Sequence, residues 1–176
     1  MAKVIEGSDI MSIIFKRRSI RKYTDKVMPE EIIEKLLRAG MAAPSAGNKQ
    51  PWHFIVINDR NVLDEIPKFH PSSQMLKEVN HAIVVCGDLA LEKANGYWIQ
   101  DCSAATQNML LMATELGLGS VWLGVHPIEE RVNGVRKLLG IPDGIMPLSV
   151  VAIGYPNEVK SPVDRFDTTR IHHNRW

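Results

Sequence analysis

Three stretches of the chain carry side chains that could do chemistry. The first is Lys16-Arg17-Arg18-Ser19-Ile20-Arg21-Lys22, with five cations in seven residues and a hydroxyl at its centre. Arginine forks fit phosphate oxygens, and serine adds a further donor. Three readings stand on these residues alone: a solvated basic helix end offset by the helix dipole, a phosphate clamp, and a nucleic-acid contact. The second stretch is Ala43-Pro44-Ser45-Ala46-Gly47-Asn48-Lys49-Gln50-Pro51-Trp52. Its small residues allow a planar ligand close to the backbone, and Asn48 and Gln50 each carry donors and acceptors. A plain helix-to-strand connection fits the same residues. The third is Gly117-Leu118-Gly119-Ser120-Val121-Trp122-Leu123-Gly124. Its glycines end a helix and open a strand, the reverse of a dinucleotide fingerprint. Gly117 suits a C-cap, and Gly124 could let a ligand approach the main chain.

The other reactive residue types form no constellation. His172-His173 lacks a third ligand at metal spacing, so no metal site is expected. His53 and His81 alternate with apolar residues, whereas His70 and His126 each precede a proline. Ser19 and Ser45 have no neighbouring base, and no HExxH, GxSxG or P-loop pattern occurs, so no catalytic side chain is expected. Cys86 and Cys102 stand outside any CxxC spacing and suit reduced core thiols of a cytoplasmic protein.

Composition bounds these readings. At 176 residues the chain suits one domain, 1–176, able to bury roughly 70% of its unfolded surface. A net charge of +1 gives no global argument for nucleic acid or an anionic membrane, so any cationic effect is local. Met1 to Ile10 lacks the pattern of a signal peptide, and no apolar run approaches the ~20 residues of a membrane span.

The elements that must position these stretches alternate between helix and strand. Ser8 or Asp9 can cap a helix reaching about Arg17. A second helix begins near Pro29, with Ile32, Ile33, Leu36, Leu37 and Gly40 on one face. Strands are expected at Trp52 to Ile57, His81 to Cys86, Ser120 to Val125 and within Pro147 to Gly154, with a short helix over Val62 to Ile66. The strands are almost continuously apolar, as in a sheet covered on both faces. The helix from Asn95 to Leu116 is apolar nearly all round in its second half, where Met109 and Met112 suit packing. It needs cover on every side, either from a second subunit or from the middle of one. The polar tail after Pro156 contains Pro162 and ends in Trp176, which is costly to leave in water and is expected to dock.

The ordered set RRSIRKY, APSAGNKQPWHF, GLGSVWLG and VVAIGYP with a basic tail resembles the nitroreductase family of small flavoproteins over almost the whole chain. The resemblance implies an α+β fold with a mixed central sheet flanked by helices, in an intertwined homodimer with FMN at the interface. It implies contacts from Arg17, Arg18, Ser19 and Arg21 to the FMN phosphate, ribityl chain and pyrimidine side. Pro44, Ser45 and Ala46 would come from the other protomer, with Asn48 and Gln50 beside them. Leu123 and Gly124 would offer backbone N–H groups near flavin N5 and O4, Arg165 would complete the phosphate clamp, and His70 or Ser72 would be the candidates to reach the flavin ring. The implied activity passes hydride from NAD(P)H through FMN to a nitroaromatic, quinone or related small-molecule acceptor in a ping-pong cycle. Relatives of the same scaffold carry out dehalogenation, flavin destruction or azoline oxidation. A non-enzymatic basic module is the reading outside the family. The chain is shorter than the larger relatives between its central helix and the neighbouring segments, and it has Leu123 where some carry an acidic residue.

Overall fold

The computed structural model describes residues 9–161 and 163–176, with side chains from Ile13 onward. Ser8, a candidate cap, and Pro162 in the tail lie outside the described residues. Among the described residues, five α-helices, α1 (Asp9–Lys16), α2 (Glu30–Met41), α3 (Arg60–Phe69), α4 (Tyr97–Glu115) and α5 (Glu129–Leu139), surround four strands. The strands are β1 (Trp52–Ile57), β2 (His81–Asp88), β3 (Gly119–Gly124) and β4 (Ile145–Gly154).

The sheet order is β1-β2-β4-β3, and each neighbouring pair is antiparallel. The chain leaves β1 through α3 and returns through 3-10 turns at Pro71–Lys77, so β2 enters from the end where β1 left and Ile57 pairs with Ala82. The parallel component of the sheet is one bridge, Ser19 to Ser120, at the outer edge of β3. The central strands β2 and β4 are buried along nearly their whole length, as their unbroken apolar runs require. On one face, α2 and α4 pack Leu36, Met109 and Ala113 against Ile83, Val85 and Val151. On the other, α3 and α5 bring Leu63, Ile66, Val132 and Val135 onto Val84 and Val150. No helix among the described residues is long and apolar enough to cross a membrane.

Two elements have weak sequence signals. The α5 helix buries only Val132 and Val135 and carries Gly134 in mid-helix, where glycine ordinarily costs stability. Packing explains that glycine: a Cβ there would stand 2.4 Å from the Phe69 ring. The α3 helix extends on both sides of Val62 to Ile66 because Asp59 caps it, accepting the Asn61 N–H at 2.8 Å.

Candidate functional site

The cationic stretch begins where α1 ends. Its backbone leaves the helix and lies along the outer edge of β3, with the Ile20 N–H donating to Ser120 O at 3.0 Å. This approach is close because Gly119 has no side chain; a Cβ there would meet Ile20 at 2.7 Å. Arg17, Arg18 and Ser19 are half-buried, and Arg21 is exposed. Arg17 is held below its ordinary pKa, first by burial and then by the positive charges of Arg165 and Arg18. Thus Arg165, far away in sequence, folds back onto the same place. Such a gathering of like charges is unfavourable in itself and is relieved by an anion.

The tail is strapped onto this stretch. Arg18 Nε donates to Ser161 O at 2.8 Å, and its Nη1 donates to Phe15 O and Arg17 O at 2.8 and 2.7 Å. Lys160 Nζ donates to Ser19 O at 2.6 Å. Glu158 accepts the Arg21 N–H at 2.5 Å, a bond that leads the causes keeping its carboxyl below the usual range. Arg18 therefore spends much of its donor capacity on carbonyls and acts as a rivet, leaving Arg17 and Arg165 as the freer forks.

Residues 44–50 form a loop with unusual backbone. Gly47, Asn48 and Gln50 have φ of 58°, 55° and 49°, in the left-handed region. For Asn48 and Gln50 this conformation costs of order 1–3 kcal/mol each and persists only where surroundings enforce it. Ser45 Oγ accepts the Gln50 N–H, and Gln50 Nε2 donates to Asn48 Oδ1, each at 2.9 Å. One further bond ties the loop to the body: the Ala46 N–H donates to Asp101 Oδ1 of α4 at 2.9 Å. Asp101 is 5% exposed, and its Oδ2 has no partner. Sequence reading missed Asp101, since an acidic residue in a helix ordinarily marks a wet face.

The open edge of β3 ends at Gly124. Ser120 O turns outward to Ile20, while the Val125 N–H turns inward to Leu148 O. By strand alternation, Gly124 and Trp122 direct their backbone groups to the open edge, and Leu123 directs its N–H toward β4. Leu123 is buried and contributes packing there, so the amide presented outward is that of Gly124. His70 is buried with Nε2 2.9 Å from Gly124 O, whereas Ser72 is exposed.

Within one chain these pieces make two places. The arginines and Gly124 lie along β3, and the Pro44–Gln50 loop leads into β1. These are the two opposite edges of the sheet, three strand spacings or roughly 14 Å apart.

The fold is α+β, with a cationic cradle at one edge of the sheet and a strained polar loop at the other, and comparison gives the family. The nitroreductase family model matches residues 14–79 and 69–155. A Methanothermobacter thermautotrophicus protein, provisionally named an NADH dehydrogenase/NAD(P)H nitroreductase, is 51% identical over 98% of this chain and 90% of its own length. The crystal structure of a protein of the same provisional name from Parabacteroides distasonis superimposes with a TM-score of 0.93 at 46% identity, covering 97% of this chain and all of that one. A provisionally named nitroreductase from Desulfovibrio desulfuricans, in complex with FMN, gives a TM-score of 0.84 at 30% identity, covering 97% and 99% of the two chains. The chain belongs to the nitroreductase family.

Proposed function

We propose that this chain is an FMN-dependent NAD(P)H oxidoreductase that reduces nitroaromatic, quinone or related acceptors. The observation that carries the reading is the gathering of Arg17, Arg18 and Arg165 beside the open edge of β3. FMN, when bound, supplies the hydride chemistry at its N5. Arg17 and Arg165 hold its phosphate, Ser19 and Arg21 border the ribityl chain and pyrimidine, and Gly124 directs its amide to the ring edge. Cations near an electron-rich ring favour its reduced form. NAD(P)H and the acceptor use one place in turn, a ping-pong order that needs no separate dinucleotide fold.

The working unit is a homodimer, and FMN lies at its interface. Pro44, Ser45, Ala46, Asn48 and Gln50 stand at the far edge of their own sheet, so a loop from a second copy completes the ring site. A groove of about 300 Å³ between α1, α2 and α4, lined by Ile13, Ile14, Ala42, Leu111 and Met112, supplies an apolar face for that copy. Phe166 and Trp176 in the tail are largely exposed in the single chain and gain cover on the partner. Substituting Leu111→Glu is expected to yield a monomer by sedimentation with FMN affinity lost; a stable dimer would remove this part of the reading.

The purified protein is expected to be yellow, with flavin absorbance, and to oxidise NADH or NADPH when given a nitroaromatic or quinone. Colourless protein that takes up no added FMN overturns the proposal. A screen of acceptors on the reduced enzyme separates this activity from dehalogenation, flavin destruction and azoline oxidation.

A further inference from the structure

Outside the cluster of Arg17, Arg18 and Arg165, two arginines are half-buried among the described residues, Arg131 and Arg136. Arg136 pairs with Asp143. Arg131 pairs with no carboxylate among those residues, although Glu129 and Glu130 precede it on the exposed start of α5. Its Nη1 donates to Gly124 O at 2.9 Å. Its Nε and Nη2 have no acceptor among the described residues, yet neither is sealed in the interior as Arg136 Nε is. One bond therefore fixes the guanidinium at the end of β3 and leaves most of its fork open to solvent.

The Gly124 carbonyl does not depend on that bond. His70 Nε2 lies 2.9 Å from the same oxygen, and a carbonyl only accepts, so His70 carries its proton there. Burial first, and then the Arg131 charge, hold His70 below its ordinary pKa and keep its ring neutral. The histidine satisfies the oxygen, and Arg131 alone of the two brings charge to the strand end.

The open edge of β3 is thus cationic at both ends. The arginine cluster lies beside the bridge from Ser19 to Ser120, and Gly124 stands four residues further along, roughly 13 Å away. FMN carries a single phosphate, and one held by Arg17 and Arg165 cannot also hydrogen-bond Arg131 across that span. Beside Gly124 there is room as well. Its φ lies outside the left-handed region, and a Cβ there would meet no atom within 4 Å, so neither backbone nor packing within the chain requires glycine. Open space and a guanidinium with unused N–H groups meet at one strand end.

We propose that Arg131 is a substrate-binding residue whose unused N–H groups take an oxyanion, carboxylate or phosphate, on the molecule that exchanges hydride with the flavin. This rests on the FMN reading above, which sets Gly124 at the ring edge. A planar fork recognises such a group through paired, charge-assisted hydrogen bonds. The residue then separates charged substrates from neutral ones of the same shape. The oxyanion comes either from the acceptor or from the phosphates of NAD(P)H.

The test compares wild-type holoprotein with Arg131→Met and Arg131→Gln variants. The acceptors are nitrobenzoate and nitrobenzamide, alike in shape and different in charge. The hydride donors are NADH and benzyl-dihydronicotinamide, which has no phosphate. Each pair is read as a ratio of kcat/KM values, so a general effect of the substitution cancels. Loss of the fork is expected to lower the nitrobenzoate to nitrobenzamide ratio about tenfold where the acceptor supplies the oxyanion. Where the hydride donor supplies it, the ratio of NADH to benzyl-dihydronicotinamide falls by about the same factor. Binding is read apart from turnover, by the change in flavin absorbance when benzoate or benzamide is added to oxidised holoprotein. In the acceptor case the Kd of benzoate rises about tenfold relative to that of benzamide. Arg131→Lys keeps the charge without the fork and is expected to recover part of the lost ratio. His70 still bonds Gly124 O in every variant, so folding is expected to persist; if Arg131→Met does not fold, Arg131→Gln decides the matter. Folded variants that keep both wild-type ratios overturn the inference while leaving the FMN reading intact. Wild-type protein that binds no FMN refutes the reading beneath it.

Discussion

Replacing Asp101 by alanine tests how the strained loop is held. The bonds between Gln50 and Ser45 and between Gln50 and Asn48 lie within the loop and move with it. The Asp101 carboxylate instead joins the loop to α4, through the Ala46 N–H. A hydrogen bond to a charged acceptor contributes about 1.5–3 kcal/mol. Its loss frees a segment in which Asn48 and Gln50 occupy costly backbone conformations, so the ordering must be repeated on each binding event. FMN affinity is therefore expected to fall roughly 10- to 100-fold, at about tenfold per 1.4 kcal/mol. Global stability changes little, because the substitution also removes a buried carboxylate oxygen, Oδ2, that has no partner. The unfolding midpoint is expected to stay within about 3 °C, since 1 kcal/mol moves it about 2–4 °C in a chain of this size. Asp101→Asn keeps an acceptor oxygen for Ala46 and is expected to recover most of the affinity. The assay is quenching of flavin fluorescence on titrating apoprotein, paired with a thermal melt. Wild-type FMN affinity in Asp101→Ala would refute the anchoring argument. Equal losses in affinity and melting temperature would reassign Asp101 to general stability.

Three further outcomes follow from the packing and the buried groups. Gly134→Ala forces a Cβ toward the Phe69 ring, where 2.4 Å separates them, and is expected to destabilise by about 1–3 kcal/mol on denaturant titration; an unchanged midpoint would show that α5 yields freely. Burial pushes the Cys86 and Cys102 thiols up to about 12, so native protein at pH 8 is expected to show no rapid reaction with a disulfide reagent, and both thiols to react once urea exposes them. Buried His70 and His81 are held below their ordinary pKa of 6.5, chiefly by burial, so the unfolded chain binds more protons as pH falls past 6.5. Their contribution is complete above 6.5 and is lost as pH falls from there through their lower folded values. The urea midpoint is accordingly expected to be lower at pH 5.5 than at 7.5, and equal midpoints would contradict this.

The parts of the fold that were legible in the sequence are those whose burial follows from local pattern. Trp52–Ile57 appears as a strand with its expected bounds, and β2, β3 and β4 deviate only at their ends. The apolar second half of the central helix does leave Leu111 and Met112 incompletely covered within the chain. By contrast, α5 was hidden because few of its residues are buried and Gly134 sits in mid-helix beneath Phe69, a contact absent from any local window. The cationic cluster was visible as RRSIRK, but the arrival of Arg165 beside Arg17 depends on the path of the tail. The resemblance offers both Leu123 and Gly124 as amide donors, whereas strand residues alternate their backbone direction, so one position of register decides which N–H faces the open edge. Asp101 and the His70–Arg131 pair escaped notice because each acts on the backbone of a distant segment, and composition carries no trace of such contacts.

The strap formed by Glu158, Lys160 and Ser161 gives the tail a thermodynamic role. It fastens residues 158–161 to the Arg18–Arg21 segment, and a few residues later the same stretch delivers Arg165 to Arg17. Whatever anion draws the arginines together also favours the docked tail, and docking of the tail favours the anion by the same factor. If the end of the tail beds on a second copy, as the dimer reading has it, assembly and cofactor retention share one free energy. Dilution would then loosen the cofactor, and stripping the cofactor would loosen the pair, through a segment that touches no reacting atom.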